Sequence, residues 1–109
     1  MSEITTHVLD AVLGRPAAEV AVRLEKQQDG AWMALTASAT DAGGRCRDLA
    51  KDASPGLYRL TFFTSDYLAR NGRTSIYPEI SISFHCSGNE NYHLPLLLSD
   101  NSYTTYRGS

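Results

Sequence analysis

Positive charge is scarce in this sequence. Ten Lys and Arg stand against 12 Asp and Glu, for a net charge of −2 and a pI near 5.8. That field is too weak to draw in nucleic acid or an anionic membrane surface. Long apolar runs are missing too: the longest, residues 94–98, is far too short to span a bilayer. The N-terminus carries Glu3 with neither a basic region nor an apolar core behind it, so no secretory signal is expected. Cysteine is limited to Cys46 and Cys86, which make neither a disulfide scaffold nor a zinc site. No Gly-x-Ser-x-Gly elbow, phosphate loop or dinucleotide fingerprint occurs. What remains is ordinary globular composition, 42% hydrophobic and 20% charged. A chain of this length buries roughly 65% of its unfolded surface, enough for one core. The expectation is a single cytoplasmic domain over residues 1–109.

Alternation with a period of two dominates the pattern. Val20, Val22 and Leu24 alternate with Ala21, Arg23 and Glu25, and Asp29-Gly30 supplies hairpin chemistry. The return strand is expected to carry Trp32, Ala34 and Thr36 on one face. Turns follow at Asp41-Ala42-Gly43-Gly44 and Ser54-Pro55-Gly56. Further strands are expected over 57–63, 76–85, 92–98 and 103–107. A short helix over 66–71 is expected to start at a Thr64 or Ser65 cap and stop at Gly72. Seven or eight short strands with one short helix make an all-β sandwich.

The segment 92–98 departs from clean alternation. Leu94, Leu96 and Leu98 fall on one face, His93, Pro95 and Leu97 on the other. That second face is too apolar to meet water, so a subunit interface, or else an overlying loop, is expected to cover it. His7 lies in an alternating segment and shares a face with Thr5 and Leu9. Desolvation on such faces lowers an imidazole pKa and keeps a neutral base available near pH 7. Cys46 sits between Arg45 and Arg47, a setting that lowers a thiol pKa, although a buried inert cysteine is the commoner case. His85 and Cys86 are neighbours in a strand, so their side chains diverge and hold no metal. The ending Tyr106-Arg107-Gly108-Ser109 follows strand chemistry, which would hold Ser109 near a sheet rim.

The opening Thr6-His7-Val8-Leu9-Asp10, the Gly14-Arg15-Pro16-Ala17 after it and the later Leu96-Leu97-Leu98-Ser99 resemble the transthyretin superfamily over essentially the whole chain. The four-residue ending, together with His7, Arg45 and His93, resembles its enzymatic branch, the 5-hydroxyisourate hydrolases, rather than the hormone carriers. The resemblance implies a transthyretin-like two-sheet sandwich of about eight strands with one short helix, assembled as a homotetramer, a dimer of dimers with sites in the channel between them. It implies hydrolysis of 5-hydroxyisourate to 2-oxo-4-hydroxy-4-carboxy-5-ureidoimidazoline, without metal or organic cofactor. The implied catalytic residues are His7, Arg45, His93 and Ser109, and the implied substrate-binding residues His7, Arg45 and Tyr106. Which histidine is the general base stays open. Two positions depart from the usual pattern: Gly43, where Asp is common, and Asp100, where Pro is common. Both are turn positions, so they bear on loop rigidity.

Overall fold

The alternating segments fold into two facing sheets. In the computed structural model, which describes residues 2–109, the first sheet is built around β1 (Ser2–Asp10). One edge of β1 pairs antiparallel with β5 (Arg45–Ala53) and, farther along, with β2 (Arg15–Pro16). The other edge pairs in parallel with β8 (Tyr92–Leu98), which carries β9 (Tyr103–Thr105) beyond it. The second sheet runs β4 (Ala31–Ala39), β3 (Ala21–Gln28), β6 (Gly56–Phe62) and β7 (Ile80–Cys86), all antiparallel. Helix α1 (Thr64–Arg70) connects β6 to β7. Ile4 and Val8 of β1, Leu96 and Leu98 of β8, Val22 and Leu24 of β3, and Leu60 and Phe62 of β6 form one buried cluster between the sheets. Each such side chain contributes roughly 1.5–3 kcal/mol by leaving water. The expected two-sheet sandwich with one short helix is the fold observed. Among the described residues, no helix is long and apolar enough to cross a membrane.

Four local expectations are corrected, each for a physical reason. The segment after Arg45 is a full strand, β5, whose alternation is broken by two register shifts against β1. Cys46, Leu49 and Ala53 are consequently its buried positions, at spacings no regular strand produces. A bulge at Leu35 of β4, opposite the Leu24–Glu25 step of β3, makes Thr36 face Leu24 while Ala34 and Trp32 face Glu25 and Gln27, so the three do not share a face. The expected strand from Ile76 begins only at Ile80. Pro78 has no amide proton to give, and the backbone before it is held by side chains, Ile76 N donating to Asn101 Oδ1 and Tyr77 N to Ser75 Oγ. The helix begins one or two residues ahead of the expected caps: Phe63 holds the cap position with no side-chain cap, and its amide donates to the Ala21 carbonyl. The end of β6 thus sets the start of α1. Gly72, at φ 69°, ends the helix as expected.

A buried ion pair ties β1 to the segment after the helix. Asp10 is 1% exposed and accepts from both terminal nitrogens of Arg73, from the Tyr67 hydroxyl (2.7 Å) and from the Val12 and Leu13 amides (3.1 Å each). Burial alone raises its pKa, but the bonds from Arg73, Tyr67 and Leu13 outweigh that and hold it at about 2. Arg73 Nε also donates to Asp100 Oδ1 (2.8 Å). The departure at Asp100 therefore gives the turn an ionic anchor in place of proline stiffness.

Candidate active site

Strand register assembles the site on the outer face of the first sheet. In β1, Ile4, Thr6 and Val8 are fully buried, while Thr5, His7 and Leu9 point away from the core and are half-buried. The parallel pairing sets Thr5 opposite His93, and the antiparallel pairing sets His7 opposite Arg45. Two cross-strand neighbours on one face thus bring together residues some forty and ninety positions apart in sequence. A slip of one residue would turn every one of these side chains into the core.

The turn before Arg45 is held by Asp41, whose Oδ1 accepts from the Arg45 and Gly43 amides (2.9 Å each). Those bonds hold its carboxyl below the usual carboxylate range, the Arg45 amide contributing most. Gly44 has φ 76°, and a Cβ there would collide with the Val8 carbonyl, so only glycine fits. At the departure position Gly43, the backbone carbonyl accepts from His7 Nε2 at 2.8 Å. A carbonyl has no proton to give, so Nε2 carries it and the neutral His7 ring keeps its lone pair on Nδ1.

His93 is gripped on two sides. Its Nδ1 lies 2.9 Å from Thr5 Oγ1, and its carbonyl accepts from the Gly108 amide at 2.7 Å. Gly108 packs so closely on the ring that a Cβ there would sit 2.7 Å from Cδ2. Burial lowers the His93 pKa most, with the charges of Arg45 and His7 adding to it, so the ring is neutral at pH 7. The chain end that delivers Gly108 is itself tethered. The Arg107 guanidinium lies 4.6 Å from the Tyr92 ring centroid and donates to Glu90 Oε1 (3.4 Å) and the Asn91 carbonyl (3.2 Å).

Thr5, Arg45, Arg47, Lys51, His93 and Ser109 help line a cavity of about 550 Å³. That is large enough for a small heterocycle, and its walls are cationic. Of the residues singled out from sequence, Arg45, His93 and Ser109 meet there. His7 borders it as the neighbour of Arg45, but is not in its wall. Tyr106 stands outside it in the single chain, 52% exposed. Sequence reasoning passed over Thr5, Gly108 and Arg107 as working parts of the site. The shared face of Thr5 and His7 was a signal for the first. The close approach of Gly108 leaves none, because glycine at a chain end reads as fraying. Cys46 faces the core, 2% exposed, and burial raises its thiol pKa, so the flanking arginines do not activate it. Among the described residues, no three His, Cys, Asp or Glu side chains form a set able to hold a metal ion.

Comparison with known proteins identifies the family. A 5-hydroxyisourate hydrolase of Salmonella dublin is 44% identical across 97% of this chain and 80% of its own length. The structure of Klebsiella pneumoniae 5-hydroxyisourate hydrolase superposes with a TM-score of 0.90 at 35% identity, covering all of both chains. Transthyretin from Sparus aurata superposes equally well, with a TM-score of 0.92 at 33% identity over 97% of this chain and 96% of its own. With residues 4–108 matching its pattern, the chain belongs to the HIUase/Transthyretin family.

Proposed function

We propose that the whole chain, residues 1–109, is one hydrolase domain that opens the six-membered ring of 5-hydroxyisourate in urate degradation. The overall fold does not discriminate, since a hydrolase and a transthyretin superpose on it alike. The observation that carries the reading is the cavity wall, where a neutral imidazole, an arginine and the C-terminal serine converge. Hydrolase relatives at 44% identity support the same substrate. In this reading a water attacks the ring carbonyl and gives its proton to an imidazole. The C–N bond then breaks, and the proton passes to the leaving ring nitrogen. Arg45, planar and permanently charged, faces the oxygen on which negative charge develops. Ser109 bonds the substrate or the histidine pair through its hydroxyl or carboxylate, and Tyr106 closes over the flat ring.

The proposed assembly is a homotetramer, a dimer of dimers, in which exposed side chains such as Tyr106 reach the channel between dimers. Two buried, unpaired cysteines suit a reducing compartment, and we place the protein in the cytoplasm. The test is the ultraviolet loss of freshly made 5-hydroxyisourate with and without protein. Acceleration well above spontaneous decay is expected. Tight binding of a urate-like ring without acceleration would make the cavity a carrier site instead.

A further inference from the structure

We propose that Thr5 is a positioning residue whose hydroxyl donates to Nδ1 of His93, fixing that ring as the Nε2–H tautomer. His93 then serves as a neutral hydrogen-bond donor in the site, and proton abstraction falls to Nδ1 of His7. The inference rests on the hydrolase reading for its kinetic consequence but not for its structural one.

The geometry leaves the Thr5 hydroxyl little choice. Parallel register sets it directly opposite His93, and its β-branched side chain has a stiff χ1, so the 2.9 Å contact is built in by two strands. Among the described residues, His93 Nδ1 is the hydroxyl's single hydrogen-bond partner. Donation satisfies both groups, whereas acceptance leaves the hydroxyl proton without a protein acceptor. At the other side of the ring, Gly108 packs against Cδ2, the carbon bonded to Nε2. Arg45 and His7 act against a second proton on the ring, so it stays neutral with one N–H. Glu3, Arg47 and Lys51 complete the charged groups around the cavity.

The assignment also divides the labour between two rings that sequence left equivalent. His7 has its Nε2 proton committed to the Gly43 carbonyl, so Nδ1 is its basic atom. The water's proton goes to that atom and later to the leaving nitrogen. His93 Nε2–H joins Arg45 in facing the developing oxyanion, a task a neutral imidazole performs without changing charge.

The experiment reads ring ¹⁵N shifts of His93 in the substrate-free protein, with steady-state kinetics on Thr5→Val and Thr5→Ser. In the wild type the Nε2–H tautomer should dominate near neutral pH. Thr5→Val, isosteric and suited to a strand, should mix the tautomers and lower kcat by about tenfold or more, part of the roughly hundred- to ten-thousand-fold that proton transfer supplies, with KM within about twofold. Thr5→Ser should restore both readouts. A dominant Nδ1–H tautomer in the wild type overturns the proposal, as does a Thr5→Val protein with unchanged shifts and turnover. So does a Thr5→Ser protein as impaired as Thr5→Val, which would assign the role to the methyl group. A wild type that fails to accelerate hydrolysis would sink the hydrolase reading alone, because the tautomer measurement needs no substrate.

Discussion

His93 is held from two sides, by Thr5 and by Gly108. Its pKa is pushed below the ordinary 6.5 by burial first, then by Arg45 and His7. The sign follows directly: the neutral ring persists to lower pH than in a free chain. The unfolded chain takes up its proton first as pH falls, so below about 6.5 this residue also subtracts from stability. The His93 ring resonances are expected to titrate below 6.5. Removing one of the depressing charges with Arg45→Gln should move the His93 titration upward, as followed by its ring resonances. A His93 titration at or above 6.5 in the wild type would show that burial and the neighbouring charges do not govern this ring. His7, Arg45, His93 and Ser109 were legible as a motif. Thr5 and Gly108 were not assigned roles, because their part depends on what lies across a strand pair rather than on their own chemistry.

At the scale of elements, the chain end is the informative piece. Tyr106, Arg107 and Ser109 are exposed, and Gly108 makes one bridge to His93, so the last four residues add little to the core. A protein lacking residues 106–109 should keep its fold and assembly with a modest change in Tm, yet lose at least about a hundredfold in turnover, the lower range of proton-transfer catalysis. Calorimetry, sedimentation and the hydrolysis assay together decide this. Near-normal turnover would reduce the ending to a family marker, and loss of assembly would make its role structural. The helix and β5 mark the limits of pattern reading. The start of α1 was misplaced because the end of β6, not a polar cap, determines it. The alternation of β5 was hidden by bulges visible only against β1.

The whole molecule is held together by terms that act far from the site. Asp10 joins β1 to the helix segment through Arg73 and Tyr67, and its carboxylate, held at about 2 against an ordinary 3.8, stabilises the fold at every pH above that range. This contribution, about 2 kcal/mol, disappears as pH falls from 3.8 toward 2. Asp10→Asn leaves Arg73 without its buried partner and should cost roughly 3 kcal/mol, or about 10–15 °C in Tm, measurable by thermal unfolding near pH 7. Assembly is tested at Leu97, half-buried on the outer face of β8. A charge there, Leu97→Asp, should weaken the oligomer and activity together if apolar burial drives association. Full activity from a sedimenting monomer would overturn the shared-site reading.

Period-two alternation and turn chemistry in the sequence determined a β-sandwich, because sheet faces must separate apolar from polar side chains whatever the strand order. The hairpin at Asp29-Gly30 was legible for a local reason: both residues take positive φ, at 52° and 80°. The family resemblance in the sequence also picked out His7, Arg45, His93 and Ser109, and the fold brings the last three to one cavity wall. Only the tertiary structure decided the parallel register of β1 on β8, the bulges of β5 and β4, and the docking of the chain end on His93. Those depend on pairings between residues up to ninety positions apart, where many registers satisfy the local pattern. The packing of the whole core selects one of them, and with it which nitrogen of each histidine faces the protein.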